Sequence, residues 1–186
     1  WCRERFAKGD FGRFVYGEGQ YHHDMSDFYS AYQRSGGEDW KRLASFPPML
    51  YPTHSVSHVL SVTFARMTEA YCLGFEDDHE DGVFRPEISA WKNPWSNQSA
   101  LFRTSDGGMA RINEFRRIGA GESRMSILGT LGAYEEQTAQ AVWTVLGAGK
   151  GKHEDVSWVR AVDGVEIGEH NLGALPREFI GRKHIG

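Results

Sequence analysis

Ser99-Ala100-Leu101-Phe102-Arg103-Thr104 runs into Ser105-Asp106-Gly107-Gly108 and out again through Met109-Ala110-Arg111-Ile112-Asn113-Glu114-Phe115-Arg116-Arg117-Ile118. Two stretches rich in strand formers flank a short turn in which Asp-Gly supplies the left-handed backbone a tight reversal needs, so the segment predicts a β-hairpin. Ala110 and Ile112 put apolar side chains on one side, as do Met125, Ile127 and Leu131 farther along, and Met109, Phe115 and Leu128 keep the opposite side from being fully polar. One face of the resulting sheet is therefore expected to be buried and the other partly polar.

Working outward, Gly119-Ala120-Gly121 turns the chain into a strand read over 124–134, and 141–146 reads as another. Upstream, 14–24 predicts a strand and 70–75 a shorter one. Helical turns are predicted over 27–34 and 40–44. A fuller helix follows from about Pro52 to Thr63, where Val56, Val59, Leu60 and Phe64 recur at helical spacing and proline suits the first turn. Phe46-Pro47-Pro48 is a firm stop before it. Glu76–Gly82 carries five acidic residues and is expected to be a solvated loop. Helices gather in the first half and strands in the second. The fold class that follows is α+β: an open, mostly antiparallel, twisted sheet built as a meander, with helices packed on one face.

Composition narrows the function. Apolar residues make up 40% of the 186 and charged residues 25%, which suits one globular domain spanning 1–186. A net charge of −4, without a basic cluster, argues against nucleic acid as partner. No apolar run approaches the roughly 20 residues of a membrane span. Cys2 and Cys72 alone cannot frame a disulfide scaffold, and buried, reduced thiols in a cytoplasmic protein are expected. Trp1–Lys8 reads as the tail of an amphipathic helix ended at Gly9, so the natural chain is expected to extend upstream. Gly147–Lys152 reads as a flexible linker and 147–186 as an extended tail.

The sequence holds no phosphate cradle. Gly17-Glu18-Gly19 lacks the third glycine of a dinucleotide fingerprint and sits inside a predicted strand. Gly147-Ala148-Gly149-Lys150-Gly151-Lys152 has neither the spacing nor the hydroxyl of a P-loop. Tyr51 and His54, in contrast, lie three apart at the mouth of the predicted helix. A histidine there can move a proton at neutral pH and a tyrosine beside it can orient that proton. The plainer alternative is a helix-capping cluster around a packed histidine, and spacing alone leaves both open. His54 and His58 could share a metal with His22, His23 or Asp24, but no metalloprotease-type pattern is present and no metal is expected. Trp95 is among several aromatic residues able to stack on a sugar ring or simply to pack a core.

Pro48-Met49-Leu50-Tyr51-Pro52-Thr53-His54-Ser55-Val56 resembles the substrate-domain signature of the Gfo/Idh/MocA oxidoreductases. It is most similar to the branch of NAD-dependent α-N-acetylgalactosaminidases, whose motif reads Leu-Tyr-Pro-Thr-His-Gly. Residues 12–24, 93–104 and 106–112 resemble, in order, the family's strand after its nucleotide-binding domain, the strand into its open sheet and the hairpin beyond. The resemblance covers about residues 1–135. It implies a two-part enzyme with NAD or NADP on an N-terminal Rossmann domain absent here, and a sugar-type substrate on this domain. It implies His54 as general base, Tyr51 beside it and Tyr21 lining the sugar pocket. Substrate-binding roles are expected at Lys41, His58 and Trp95; Lys41 stands where that branch has an arginine, whose fork lysine does not reproduce. The partly apolar second face, and the resemblance with it, imply a homodimer or tetramer through the sheet, and the missing phosphate cradle implies a chain that by itself binds neither cofactor and is inactive. Two departures stand out: Leu50 occupies the position of an aspartate in the usual pattern, and Ser57-His58 replaces a common Gly-Pro. A non-catalytic oligomerisation module is the competing reading.

Overall fold

The computed structural model describes residues 1–119, 122–136, 141–147 and 153–157. The hairpin forms as predicted. β3 (Trp95–Thr104) pairs antiparallel with β4 (Met109–Phe115), with Ala100 opposite Ile112 and Phe102 opposite Ala110. Gly107 takes φ +87° at the turn, and the Asp106 carboxylate accepts from the Thr104 hydroxyl at 2.5 Å.

Around it lies one eight-stranded sheet in the order β2-β3-β4-β1-β5-β6-β7-β8. Its remaining strands are β1 (Phe14–His22), β2 (Met67–Glu76), β5 (Glu122–Gly129), β6 (Gly132–Glu136), β7 (Ala141–Val145) and β8 (Glu154–Asp155). All neighbours are antiparallel except β1 and β4, which are parallel. The architecture is α+β with an open, mostly antiparallel sheet. It is not the plain meander expected: β1, from the helical half of the chain, inserts between β4 and β5. The run read as one strand over 124–134 is two, broken at Thr130-Leu131, whose amides donate back to Arg13 and Phe11 carbonyls. The stretch 147–186 read as linker and tail lies mostly outside the described residues. Within it, β8 pairs with β7 and Val156 is buried in the main core.

Helix α4 (Thr53–Thr63) packs across β1, β4 and β5 on one side of the sheet. Gly17 and Gly19 make this approach possible. A Cβ on Gly19 would sit 1.9 Å from the Ser55 carbonyl oxygen, and one on Gly17 would meet Val59 at 3.0 Å. The glycine pair thus serves helix-on-sheet contact at mid-strand. Val59 and Val62 close a core with Phe14, Ala110, Ile112 and Ile127 that continues to Tyr134 and Trp143. Short helix α1 (Cys2–Ala7) caps that end, with Trp1 edge-on to Trp143.

A smaller cluster gathers Met25, Ala44, Val83 and Phe84 beneath α2 (Tyr29–Gly36) and α3 (Trp40–Ala44). It corrects the reading of 76–82 as a solvated acidic loop. Asp77 is buried and binds Arg117 Nε at 2.9 Å, while Asp81 takes Arg117 Nη2 at 3.0 Å. One guanidinium neutralises two of the carboxylates, so part of the loop is pinned instead of repelled. The thiols also divide: Cys2 is buried and its pKa is pushed up to about 12 by burial, but Cys72 is exposed on β2.

Candidate functional site

A 3-10 turn at Pro48–Leu50 leads through Tyr51 and Pro52 into α4, and Val56 N–H donates to the Pro52 carbonyl at 2.9 Å as the first helical bond. His54 therefore stands on the first turn of α4, with Tyr51 just outside it. Tyr51 meets the His54 ring edge-on, centroids 5.7 Å apart. Tyr21 reaches the same imidazole from β1 at 4.6 Å. It can do so because Gly17, Gly19 and Tyr21 alternate onto the face under α4, and the two glycines let the helix lie close. His23 is 4.9 Å beyond Tyr21 and stands edge-on to Phe28. Tyr51 is 49% exposed, which opens the cluster to solvent. Burial raises the Tyr21 phenol above its usual pKa against the opposing pull of Arg116, so it stays protonated at neutral pH. An accessible imidazole flanked by two phenol rings can accept a proton from a hydroxyl placed among them.

Beneath these rings lies a polar row that the sequence motifs did not reveal. Glu114 is fully buried and accepts a short hydrogen bond from the Ser55 hydroxyl. Arg116, 6% exposed, places Nη2 3.4 Å from Glu114 Oε2 and 3.4 Å from the Tyr51 carbonyl, and Nη1 3.1 Å from His23 Nε2. Gln98, opposite Glu114 on β3, accepts from the Met49 amide at 2.8 Å. Burial pushes the Glu114 carboxyl up to about 7 despite Ser55 and Arg116. Burial, with Arg116 adding to it, holds His23 down at about 4 and thus neutral. The available signal was phase: Glu114 falls in step with Ala110 and Ile112, a charged residue at a core position of its strand.

The other expected site residues are placed elsewhere. His58 lies on α4 against β5, with Nδ1 3.0 Å from the Arg124 carbonyl and Nε2 3.1 Å from the Ser123 hydroxyl. Both ring nitrogens are engaged and burial lowers its pKa, which suits a neutral ring donating from Nδ1. Lys41 donates to the Asp81 carbonyl at 2.6 Å, within the Arg117 network. The Trp95 indole covers Gly74 of β2, three strands from β1. Among the described residues, no three His, Cys, Asp or Glu side chains are arranged to hold a metal. No helix there is long and apolar enough to cross a membrane.

No protein-family model matches the sequence, and neither does any curated protein. Solved structures do share the fold. A levoglucosan dehydrogenase in complex with NADH aligns over 83% of this chain and 41% of its own, at 12% identity and a TM-score of 0.57. A UDP-N-acetylglucosamine 3-dehydrogenase from Acidithiobacillus ferrooxidans aligns over 82% and 41%, at 14% identity and 0.53. An inositol dehydrogenase homolog from Azotobacter vinelandii, complexed with NADH and myo-inositol, aligns over 83% and 38%, at 13% and 0.55. At such identities the likeness is one of fold. The chain spans about two fifths of the length of each of these proteins.

Proposed function

We propose that this chain is the substrate-side domain of a Gfo/Idh/MocA-type, NAD(P)-dependent oxidoreductase acting on a sugar or sugar derivative. The observation that carries the reading is the convergence of Tyr21, Tyr51 and His54 at the solvent-open mouth of α4. The fold held in common with the dehydrogenases above supports it. In this reading His54 removes the proton of the hydroxyl being oxidised, Tyr51 orients that hydroxyl, and Tyr21 forms the wall against which the ring lies. The residues described here do not fit a nicotinamide dinucleotide: Gly17 and Gly19 lie in a sheet ladder under α4, with no helix N-terminus following them. The nicotinamide, which would accept the hydride, belongs on a Rossmann domain outside this chain. The open face of the sheet, opposite α4, is proposed to pair with a second copy.

The test uses the protein with its nucleotide-binding part, presented with neutral sugars, sugar acids and aryl glycosides together with NAD or NADP. Oxidation of a sugar substrate is expected. His54→Ala should lower kcat by about 10²–10⁴ with little change in KM, the usual cost of removing a positioned base. Near-normal turnover in that variant would make His54 a packing residue. Release of an aryl group without net reduction of the nicotinamide would identify the glycosidase chemistry of the related branch. No turnover with any of them would leave an assembly module.

A further inference from the structure

The turn bearing Tyr51 and His54 is tied to the sheet at three points. Gln98 of β3 takes the Met49 amide, Arg116 just past β4 donates to the Tyr51 carbonyl, and Glu114 of β4 takes the Ser55 hydroxyl. Ser55 and Glu114 are fully buried, and Gln98 and Arg116 are each 6% exposed. The whole segment from Met49 to Ser55 is thereby fixed to a hydrogen-bonded sheet from below. A group that must meet a substrate hydroxyl in one geometry benefits from such support.

We infer that Glu114 and Arg116 are positioning residues for the Tyr51–His54 pair, with the Ser55 hydroxyl as the joint between the sheet and the first turn of α4. The inference rests on the reading of His54 as the base. Ser55 has one hydroxyl proton and two acceptors, Glu114 Oε1 and the Pro52 carbonyl at 3.1 Å. When Glu114 is ionised, Ser55 donates to it and Arg116 faces its other oxygen. When Glu114 carries a proton, it donates that proton to Ser55 Oγ, and Ser55 turns its own to Pro52. The first turn is then tied to itself, and its hold on the sheet is reversed in sense.

The groups facing Glu114 account for its titration. Ser55 approaches from α4, Arg116 from just past the end of β4, Tyr21 from β1 and the neutral Gln98 from β3; Tyr51 and His23 lie beyond Arg116. Arg116 is the one cation among them and favours the ionised form, while burial opposes it more strongly. The balance falls at about 7, so both arrangements are populated near neutral pH.

Carbon NMR on the whole chain reads this without substrate or cofactor. The Tyr51 carbonyl carbon and the Ser55 Cβ are followed against pH beside the Glu114 carboxyl carbon and the His54 ring. Both reporters are expected to shift with the midpoint of Glu114, and in Glu114→Gln that transition should be lost. Ser55→Ala is the second variant: it keeps the carboxyl, and the Tyr51 shift should persist through Arg116. Reporters that follow the His54 midpoint instead, stay flat in the wild type, or keep their transition in Glu114→Gln would overturn the inference. Failure here would leave the assignment of His54 to be decided by turnover, and loss of that assignment would leave these shifts unchanged.

Discussion

Glu114 has its charge opposed by burial and His23 has its charge opposed by burial and by Arg116, with opposite consequences for stability. The Glu114 pKa is raised from 4.5 to about 7, so between those values the folded chain holds the extra proton and stability falls as pH rises. The His23 pKa is lowered from 6.5 to about 4, so between those values the unfolded chain holds the extra proton and stability rises with pH. The two slopes oppose one another over most of the acid range. Glu114→Gln should leave the His23 slope uncompensated, so that the variant gains stability from pH 4 to 6.5 more steeply than the wild type. The divergence should be on the order of a few kcal/mol, at 1.36 kcal/mol per pKa unit. Denaturant midpoints measured across that range check it, and parallel curves would refute it. At this scale the sequence was partly legible. Tyr51 and His54 stand three apart at a helix start, and the resemblance added Tyr21. Glu114 was marked only by its phase with Ala110 and Ile112, and Arg116 and Gln98 are ordinary polar residues until the pairing of β3 with β4 and the lie of α4 put all three under one turn.

Among elements, β1 and α4 decide the geometry of the site. Adding one methyl group at Gly19 would drive a Cβ to 1.9 Å from the Ser55 backbone, and neither strand nor helix has a flexible tip to give way. Gly19→Ala should therefore cost about 1–3 kcal/mol or more, the range for overpacking a close contact, and should lift the first turn of α4 off Tyr21. Chemical unfolding gives the first quantity; loss of the Tyr21–His54 ring contact in proton NMR gives the second. An unchanged midpoint would mean that α4 slides without cost. Most strands and α4 could be read from alternation, turn residues and helical spacing, and their ends moved by only a few residues. The insertion of β1 beside β4 could not, because strand order is set by non-local pairing that no local pattern encodes. In the acidic loop Asp78 and Glu80 are exposed as expected, and Asp77 and Asp81 depart from that expectation for a related reason: their partner Arg117 lies 36 to 40 residues away.

For the molecule as a whole, the sheet face away from α4 is uneven. Near its centre Arg111 and Glu18 form an ion pair at 2.9 Å, whereas Tyr71, Leu73, Phe75 and Leu101 crowd the β2–β3 end at 55–83% exposure. Apolar side chains so grouped mark a contact surface more often than a wetted one. With a second copy over that end, light scattering at micromolar concentration should give a multiple of the 21.0 kDa chain, and Leu73→Asp should shift it toward the single-chain mass. A wild type that already scatters as one chain would count against assembly. β2 itself is exposed along almost its whole length on both sides, and in the sheet it is held by its ladder to β3 alone. Such a strand opens at small cost in free energy, far below that of the buried strands β4 and β1. In deuterated solvent, the amides of β2 bonded to β3 should be the first of the ten-residue strands' ladders to exchange in a dilute sample. If a second chain closes over them, their exchange will slow as the solution is concentrated while that of β1 stays the same, so the timing of deuterium uptake reports the encounter of two molecules.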